Sequence, residues 1–184
     1  MATPAERLVR SYLDHLTVER GASPHTVAAY RRDLARYTDF LAARGIDDPA
    51  AIGEADVAGF LSSLQAPTDG HVPLSVASAT RTLVAVRSLH VFAAAEGRTP
   101  TNPAAAVKPP KAGRRLPKAL DIGQVQALLD TPDVNVPMGL RDAALLELLY
   151  GTGGRISEIL DLDVDDVTGM LADPDAGLRL FGKG

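Results

Sequence analysis

The chain has 184 residues, of which 46% are hydrophobic and 23% charged, and it contains no cysteine. This composition excludes a largely disordered chain, a disulfide framework and a thiolate metal site. No apolar run approaches the roughly 18 residues of a membrane span and no signal peptide is predicted, so we expect a cytoplasmic protein without membrane insertion.

The net charge of −4 is unevenly distributed along the chain. Residues 1–107 carry 10 Lys or Arg and 11 Asp or Glu. Residues 108–118 carry five basic side chains and no acidic one, whereas residues 119–184 carry four basic and 12 acidic side chains. A basic segment without acids is typical of a phosphate-binding surface, but also of a solvated linker. Charge alone leaves both interpretations open.

The first 107 residues predict four helices that pack as one all-α domain. Apolar side chains recur at helical spacing in four stretches, at residues 4–20, 24–44, 57–64 and 75–96. Ser23 followed by Pro24 is typical of a helix start, and Gly21, Gly45 and Gly97 follow three of the helices as stop signals.

A proline-rich stretch separates this block from the rest of the chain. Five prolines lie between residues 99 and 117. Proline lacks an N–H and disfavours helix in the residue before it, so we expect an extended segment. We therefore predict a domain of residues 1–107, an interdomain linker at 108–118, and a second domain that begins at 119.

The second block predicts further helices separated by a glycine-rich break. Asp121 and Gln124 form a capping-box pattern ahead of an apolar face. A helix over 141–150 is expected next, and after the glycines at 151–154 a short helix over 156–160. The apolar face of the first helix consists of Val125, Leu128 and Leu129. The side chains expected to be buried in the second are Leu145, Leu148 and Leu149.

The end of the chain predicts a solvated acidic loop followed by a strand. The run of aspartates between Asp161 and Asp166 is typical of an exposed loop. Residues 177–181 alternate apolar and polar side chains, which indicates a strand. Because a single strand is not stable without a partner, we expect the fold to continue past residue 184.

Arginines are the main candidates for function. The four histidines show no metal-ligand spacing, so no metal site is predicted. Arginines on the second and fourth helices would suit DNA phosphates or guanine edges, or alternatively form an exposed face balanced by Asp33, Asp39 and Glu19. Arg155 follows a tight glycine turn, where a guanidinium can donate two parallel hydrogen bonds to a phosphate, or be an ordinary surface arginine.

Several motifs together carry a family resemblance. Residues 26–40 read TVAAYRRDLARYTDF, residues 115–118 read RLPK, residues 151–158 read GTGGRISE, and residues 182–184 read GKG. In these features the chain resembles the tyrosine site-specific recombinases of the lambda-integrase-like superfamily, more closely the bacterial Xer family. The resemblance implies a mainly α fold: an N-terminal four-helix SAM-like core-binding domain, then the start of an α+β catalytic domain, truncated at residue 184.

The resemblance also implies a DNA clamp that exchanges strands at recombination sites and resolves chromosome dimers at cell division. The implied partners are double-stranded DNA, a second Xer-type recombinase in a heterotetramer on DNA, and a DNA translocase; no cofactor is expected. The side chains expected to contact DNA are Arg31, Arg32, Arg81, Arg87, Lys108, Arg114 and Arg115.

In this family a tyrosine attacks one DNA strand and forms a 3′-phosphotyrosyl bond without ATP or metal. By motif position, Arg155 is the first catalytic arginine and Lys183 the hairpin lysine that protonates the leaving 5′-oxygen. Glu158 is expected to orient Arg155. The family has a bulkier residue where this chain has Gly154, which predicts a looser turn.

The family's His-x-x-Arg box and nucleophilic tyrosine lie beyond the hairpin. The tyrosines of this chain are Tyr12, Tyr30, Tyr37 and Tyr150, and none stands in the nucleophile's sequence context. We therefore expect these 184 residues not to cleave DNA. The alternatives left open are a phage or transposon integrase, a non-catalytic DNA-binding module, and a helical protein-interaction domain without a DNA role.

Overall fold

The computed structural model describes residues 2–66, 72–111, 119–172, 177–180 and 182, in two compact units, Met1–Arg114 and Arg115–Gly184. The first unit contains α1 (Pro4–Val18), α2 (Pro24–Ala42), a 3₁₀ turn (Pro49–Ala51), α3 (Glu54–Gln65) and α4 (Val76–Ala95). The second contains α5 (Ile122–Leu129), α6 (Pro137–Thr152), α7 (Ile156–Leu160) and α8 (Val164–Ala172). The predicted mainly α class is confirmed.

Hydroxyl side chains begin three of the first four helices. Thr3 accepts a hydrogen bond from the backbone N–H of Glu6 at 3.2 Å, and the Glu6 carboxylate accepts the N–H of Thr3 at 2.7 Å. Ser23 accepts the N–H of Thr26 at 3.3 Å ahead of Pro24, and Ser75 begins α4 in the same way. These bonds satisfy N–H groups that the first helical turn leaves without partners.

The core of the first unit is built around α4. This helix packs on α1, α2 and α3, and it is buried over more than one face. A helix that is apolar all round is expected at the centre of a bundle, with amphipathic helices around it. Its buried side chains are Ala79, Thr82, Leu83, Ala85, Val86, Leu89, His90, Phe92 and Ala93.

One polar pair lies inside this core. The Tyr37 hydroxyl and His90 Nε2 are 2.9 Å apart, and both side chains are fully buried. Burial lowers the pKa of His90 to about 4 and raises that of Tyr37, because each charged form would lose its hydration. His90 is therefore neutral in the folded unit at neutral pH.

The second unit buries far less of its apolar surface. The capping box of Asp121 and Gln124 is present, with the Gln124 N–H 2.8 Å from Asp121 Oδ1. The predicted burial of Leu145, Leu148 and Leu149 is wrong, because all three are only half-buried. In the described part of this unit α6 packs on α5 and α7, so its other faces meet no further layer.

Two predictions near the end of the chain need correction. The acidic run was expected to be a loop, but Asp163 accepts the N–H groups of Asp165 at 3.1 Å and Asp166 at 3.4 Å and so begins α8. Residues 177–180 are not a strand, since none of the described residues supplies a neighbouring strand to pair with; residue 181 lies outside the described residues.

No helix in the described ranges is long and apolar enough to cross a membrane.

The buried His90 predicts a pH-dependent stability. Its pKa is about 4 in the folded unit and 6.5 in the unfolded chain, so the unfolded state binds more protons between these values. The stabilisation is present above pH 6.5 and is lost as the pH falls towards 4, by about 3 kcal/mol in total. Urea unfolding followed by tyrosine fluorescence measures it, since three of the four tyrosines lie in this unit.

In His90→Gln this part of the pH dependence is expected to disappear, whereas the exposed-site control His25→Gln keeps it. An unchanged pH dependence in His90→Gln would contradict the assignment.

Two glycines of α6 predict opposite effects of the same substitution. A Cβ at the buried Gly139 would overlap the backbone carbonyl of Asp133, whereas a Cβ at Gly151 meets nothing within 4 Å. Gly139→Ala is therefore expected to destabilise α6 by at least about 1 kcal/mol. Gly151→Ala is expected to stabilise it by up to about 1 kcal/mol, because alanine loses less backbone entropy in a helix. Hydrogen exchange of the α6 amides measures both changes in helix stability. If the two substitutions changed the exchange rates equally and in the same direction, the close contact of Gly139 with Asp133 would be refuted.

Candidate functional site

A glycine turn between α6 and α7 positions Arg155. Gly153 adopts a left-handed conformation, with φ of 63°, and its N–H donates to the carbonyl of Leu149 at 3.0 Å. The Thr152 hydroxyl accepts the N–H of Gly154 at 3.1 Å. This conformation ends α6 within one residue, so that Arg155 stands at the first position before α7.

Glu158 holds Arg155 by both its backbone and its side chain. Glu158 Oε2 accepts the Arg155 N–H at 2.9 Å, and Oε1 accepts Nη1 of the guanidinium at 2.6 Å. The backbone bond, followed by the guanidinium bond, lowers the pKa of Glu158. The Glu158 side chain is 11% exposed and that of Arg155 is 72% exposed. The guanidinium is therefore oriented at one edge and open to solvent elsewhere, as an anion-binding arginine needs to be.

Two glycines allow close packing around this pair. A Cβ at Gly154 would lie 2.7 Å from Leu180 Cδ1 and 3.1 Å from Ile159 Cδ1, so the space that a bulkier residue would need is filled. The turn is thus packed, contrary to the looseness predicted for it. A Cβ at Gly182 would overlap Glu158 Oε1, so glycine lets the backbone of residue 182 lie directly against the pair. In the sequence, Gly182 is distinguished only as part of the GKG motif at residues 182–184.

Three of the predicted site residues lie outside the described residues: Arg114, Arg115 and Lys183. Lys108 lies within the described residues and is exposed, as is Lys111. The roles of Lys108 and of the three residues outside the described ranges stay predictions.

Arginines gather at a groove between α2, α3 and α4 in the first unit. Of the predicted DNA contacts, Arg32 and Arg81 both line it. Arg36 and Arg44 line it as well, although neither was among the side chains expected to contact DNA. Arg32 and Arg36 are four residues apart on α2, a spacing that places both side chains on one helical face and that the sequence already contains. Arg44 follows the end of α2, and no helical spacing predicts its position. The Arg44 guanidinium lies 4.4 Å from the ring centroid of Phe40.

A buried carboxylate connects α2, which carries Arg32 and Arg36, to α4, which carries Arg81. Asp33 on α2 is 8% exposed, and its Oδ1 accepts the Thr82 hydroxyl at 3.1 Å and Arg81 Nη2 at 3.2 Å. Asp33 is itself buried, but its ion pair with Arg81 agrees with the alternative in which Asp33 balances this arginine face. The DNA contact of Arg81 stays a prediction. The Arg81 side chain stays 58% exposed while one edge is held.

Arg31 and Arg87 lie apart from this groove. Arg31 is exposed beside a shallow depression lined by Pro24 and Val27. Arg87 is half-buried, and its guanidinium donates to the carbonyls of Ala104 and Val107. The structure thus brings Arg32 and Arg81 together at one groove. It places Arg31 and Arg87, the other two helical arginines predicted to contact DNA, elsewhere on the first unit.

In the described ranges, no group of three or more His, Asp or Glu side chains is arranged to hold a metal ion.

Comparison with known proteins assigns both halves of the chain. Residues 9–97 match the family described as "Phage integrase, N-terminal SAM-like domain", and residues 118–170 match "Phage integrase family". The first match covers α2, α3, α4 and most of α1. The second covers α5 to α7, including the turn with Arg155, and most of α8.

Named relatives agree with this assignment. Tyrosine recombinase XerD of Mycobacterium tuberculosis H37Rv is 51% identical over 166 residues, which are 86% of this chain and 53% of that protein. XerD of Corynebacterium glutamicum is 47% identical over 183 residues, or 98% of this chain and 59% of that protein. XerC of Xanthomonas campestris pv. campestris B100 is 40% identical over 177 residues, which are 96% of this chain and 52% of that protein.

The chain therefore spans between half and three-fifths of the length of these relatives. The two XerD proteins named here are more identical to the chain than the XerC protein is. XerD of Staphylococcus epidermidis RP62A, at 37%, is less identical than that XerC, so identity alone does not separate the two types. The two domain matches and the Xer relatives show that the chain belongs to the tyrosine recombinase family, which the domain matches describe as the phage integrase family.

Proposed function

We propose that this chain grips DNA with its first unit and supplies the first catalytic residues of a site-specific tyrosine recombinase with its second. The observation that carries the proposal is the Arg155–Glu158 pair, in which the Glu158 carboxylate orients an exposed guanidinium directly after a glycine turn. The family matches on both sides of the linker support the same assignment.

The proposed chemistry of Arg155 follows from its geometry. Strand cleavage by a tyrosine places negative charge on the nonbridging oxygens of a phosphate, and catalysis requires cations already positioned for that charge. Glu158 engages one edge of the guanidinium, so Arg155 approaches the phosphate without a further loss of rotamer freedom. Lys183 is proposed to protonate the leaving 5′-oxygen, on the motif alone.

The nucleophile is proposed to come from outside these 184 residues. Tyr12 and Tyr37 are buried in the first unit, and burial raises the pKa of Tyr12 to about 12 and raises that of Tyr37 as well. A tyrosine with a raised pKa in a closed core is a poor nucleophile for a phosphodiester. Tyr30 packs against the same core, and Tyr150 lies in α6.

The biological role proposed for the whole protein is that of a Xer recombinase acting in the cytoplasm. It would exchange strands at recombination sites to resolve chromosome dimers, together with a second Xer-type recombinase. The XerD and XerC names of the relatives support this role over that of a phage or transposon integrase. Activation by a DNA translocase is proposed from the family resemblance alone.

Binding to DNA is tested by its dependence on salt. Because the target sequence is unidentified, the probe is a mixed-sequence duplex, whose binding is governed by phosphates. We expect affinity to fall steeply between about 50 and 200 mM salt, and Arg32→Gln to reduce the slope of log affinity against log salt by about one. Fluorescence anisotropy over a salt series measures both quantities.

The matched control is Arg98→Gln, which removes the same charge from an exposed site of the same unit, where Arg98 Nη2 donates to Ser11 Oγ. It is expected to keep the wild-type slope. Salt-independent or absent DNA binding by the wild type would contradict the proposal and favour a protein-interaction domain.

A further inference from the structure

The segment that follows α4 is packed onto the first unit instead of leaving it. Thr99, Ala104 and Val107 are all buried, and the last two belong to the hydrophobic core. Asn102 forms a turn, because its Oδ1 accepts the N–H of Ala104 at 2.9 Å and its carbonyl accepts that of Ala105 at 3.2 Å. The prolines predicted an extended stretch from residue 99, but the chain stays attached to the core as far as Val107.

Arg87 of α4 provides the polar part of this attachment. Its Nε donates to the carbonyl of Ala104 at 3.2 Å, and its Nη2 donates to the carbonyl of Val107. Buried carbonyls in irregular backbone need donors that no helix or sheet supplies. A guanidinium is suited to this task because its donors lie in one rigid plane and keep their charge. One side chain thus serves two carbonyls that lie three residues apart.

The attachment ends directly before the basic linker. Val107 is 5% exposed, whereas Lys108, the next residue, is exposed, as is Lys111. Consecutive Cα atoms lie about 3.8 Å apart, so fixing Val107 also fixes the backbone from which Lys108 projects. The first two cations of the linker therefore start from a defined point on the first unit.

We propose that Arg87 is a positioning residue for DNA binding, which fixes the point where the basic linker leaves the first unit. This inference rests on the proposed DNA-binding function and replaces the direct DNA contact predicted for Arg87. Restricting the backbone at Lys108 before binding reduces the ordering that DNA binding would otherwise require. Arg87 acts through the linker and itself touches the protein backbone.

Arg87→Met tests this role, since methionine keeps much of the apolar stem and removes every donor. We expect amide exchange of residues 104–107 to accelerate about tenfold or more, while α1 and α2 exchange at the wild-type rate. Affinity for the mixed-sequence duplex is expected to fall about three- to tenfold, with the salt slope unchanged because no phosphate contact is lost. Arg87→Lys keeps the charge but has one compact donor group, and it is expected to resemble Arg87→Met.

The matched control is Arg31→Met, an exposed arginine without a role in the attachment. It is expected to lower the salt slope and to leave exchange of residues 104–107 unchanged. A lower salt slope in Arg87→Met with unchanged exchange, or full activity of Arg87→Lys in DNA binding, would overturn the proposal and indicate a phosphate contact.

The two readouts separate this inference from the function on which it rests. Wild-type protein without salt-dependent DNA binding would refute the proposed function and with it the purpose of the attachment. DNA binding by the wild type together with wild-type exchange in Arg87→Met would refute the attachment alone.

Discussion

The arginine groove of the first unit depends on one buried carboxylate, that of Asp33. It joins α2 to α4 through the Thr82 hydroxyl and the Arg81 guanidinium. A buried carboxylate without partners is costly, so Thr82 and Arg81 are kept within hydrogen-bond distance of Asp33, which restricts how α2 and α4 can shift. Because Arg32, Arg36 and Arg81 project from these two helices, the Asp33 contacts also bear on the spacing of the positive charge that we propose for DNA binding.

The second unit uses the same device at a smaller scale. Glu158 orients Arg155 while leaving most of its guanidinium exposed, just as Asp33 orients Arg81. In both places the carboxylate neutralises part of the arginine's charge, which weakens its attraction for phosphate, but it also holds the guanidinium in a fixed direction. The proposed recombinase function needs that direction, because the negative charge of the transition state develops at defined phosphate oxygens. The mechanism implied by the family resemblance supplies no metal ion to stabilise this charge. Arg87 extends the principle to backbone carbonyls.

Local patterns predicted the first unit well, since helical periodicity and caps such as Ser23 act within a few residues. The same patterns failed where the outcome depends on distant partners. The leucines of α6 have the spacing of a core face, but burial requires a layer that the described residues do not supply. Asp163 looked like part of a loop because a charged run masks a cap. Family motifs identified Arg155, whereas the attachment of Arg87 to residues 104 and 107 left no trace in any pattern.

The central claim, that the buried carboxylate of Asp33 positions an arginine for DNA, is tested most directly by the sign of one substitution. Removing a negative charge ordinarily strengthens binding to a polyanion. Asp33→Asn is nevertheless predicted to weaken binding of the mixed-sequence duplex, because Arg81 loses its ionic anchor, whereas Asp39→Asn, at an exposed acid of the same groove, is predicted to strengthen it or leave it unchanged. Affinities measured by anisotropy on variants with wild-type circular dichroism decide the matter. Binding by Asp33→Asn that equals or exceeds that of Asp39→Asn would contradict the account.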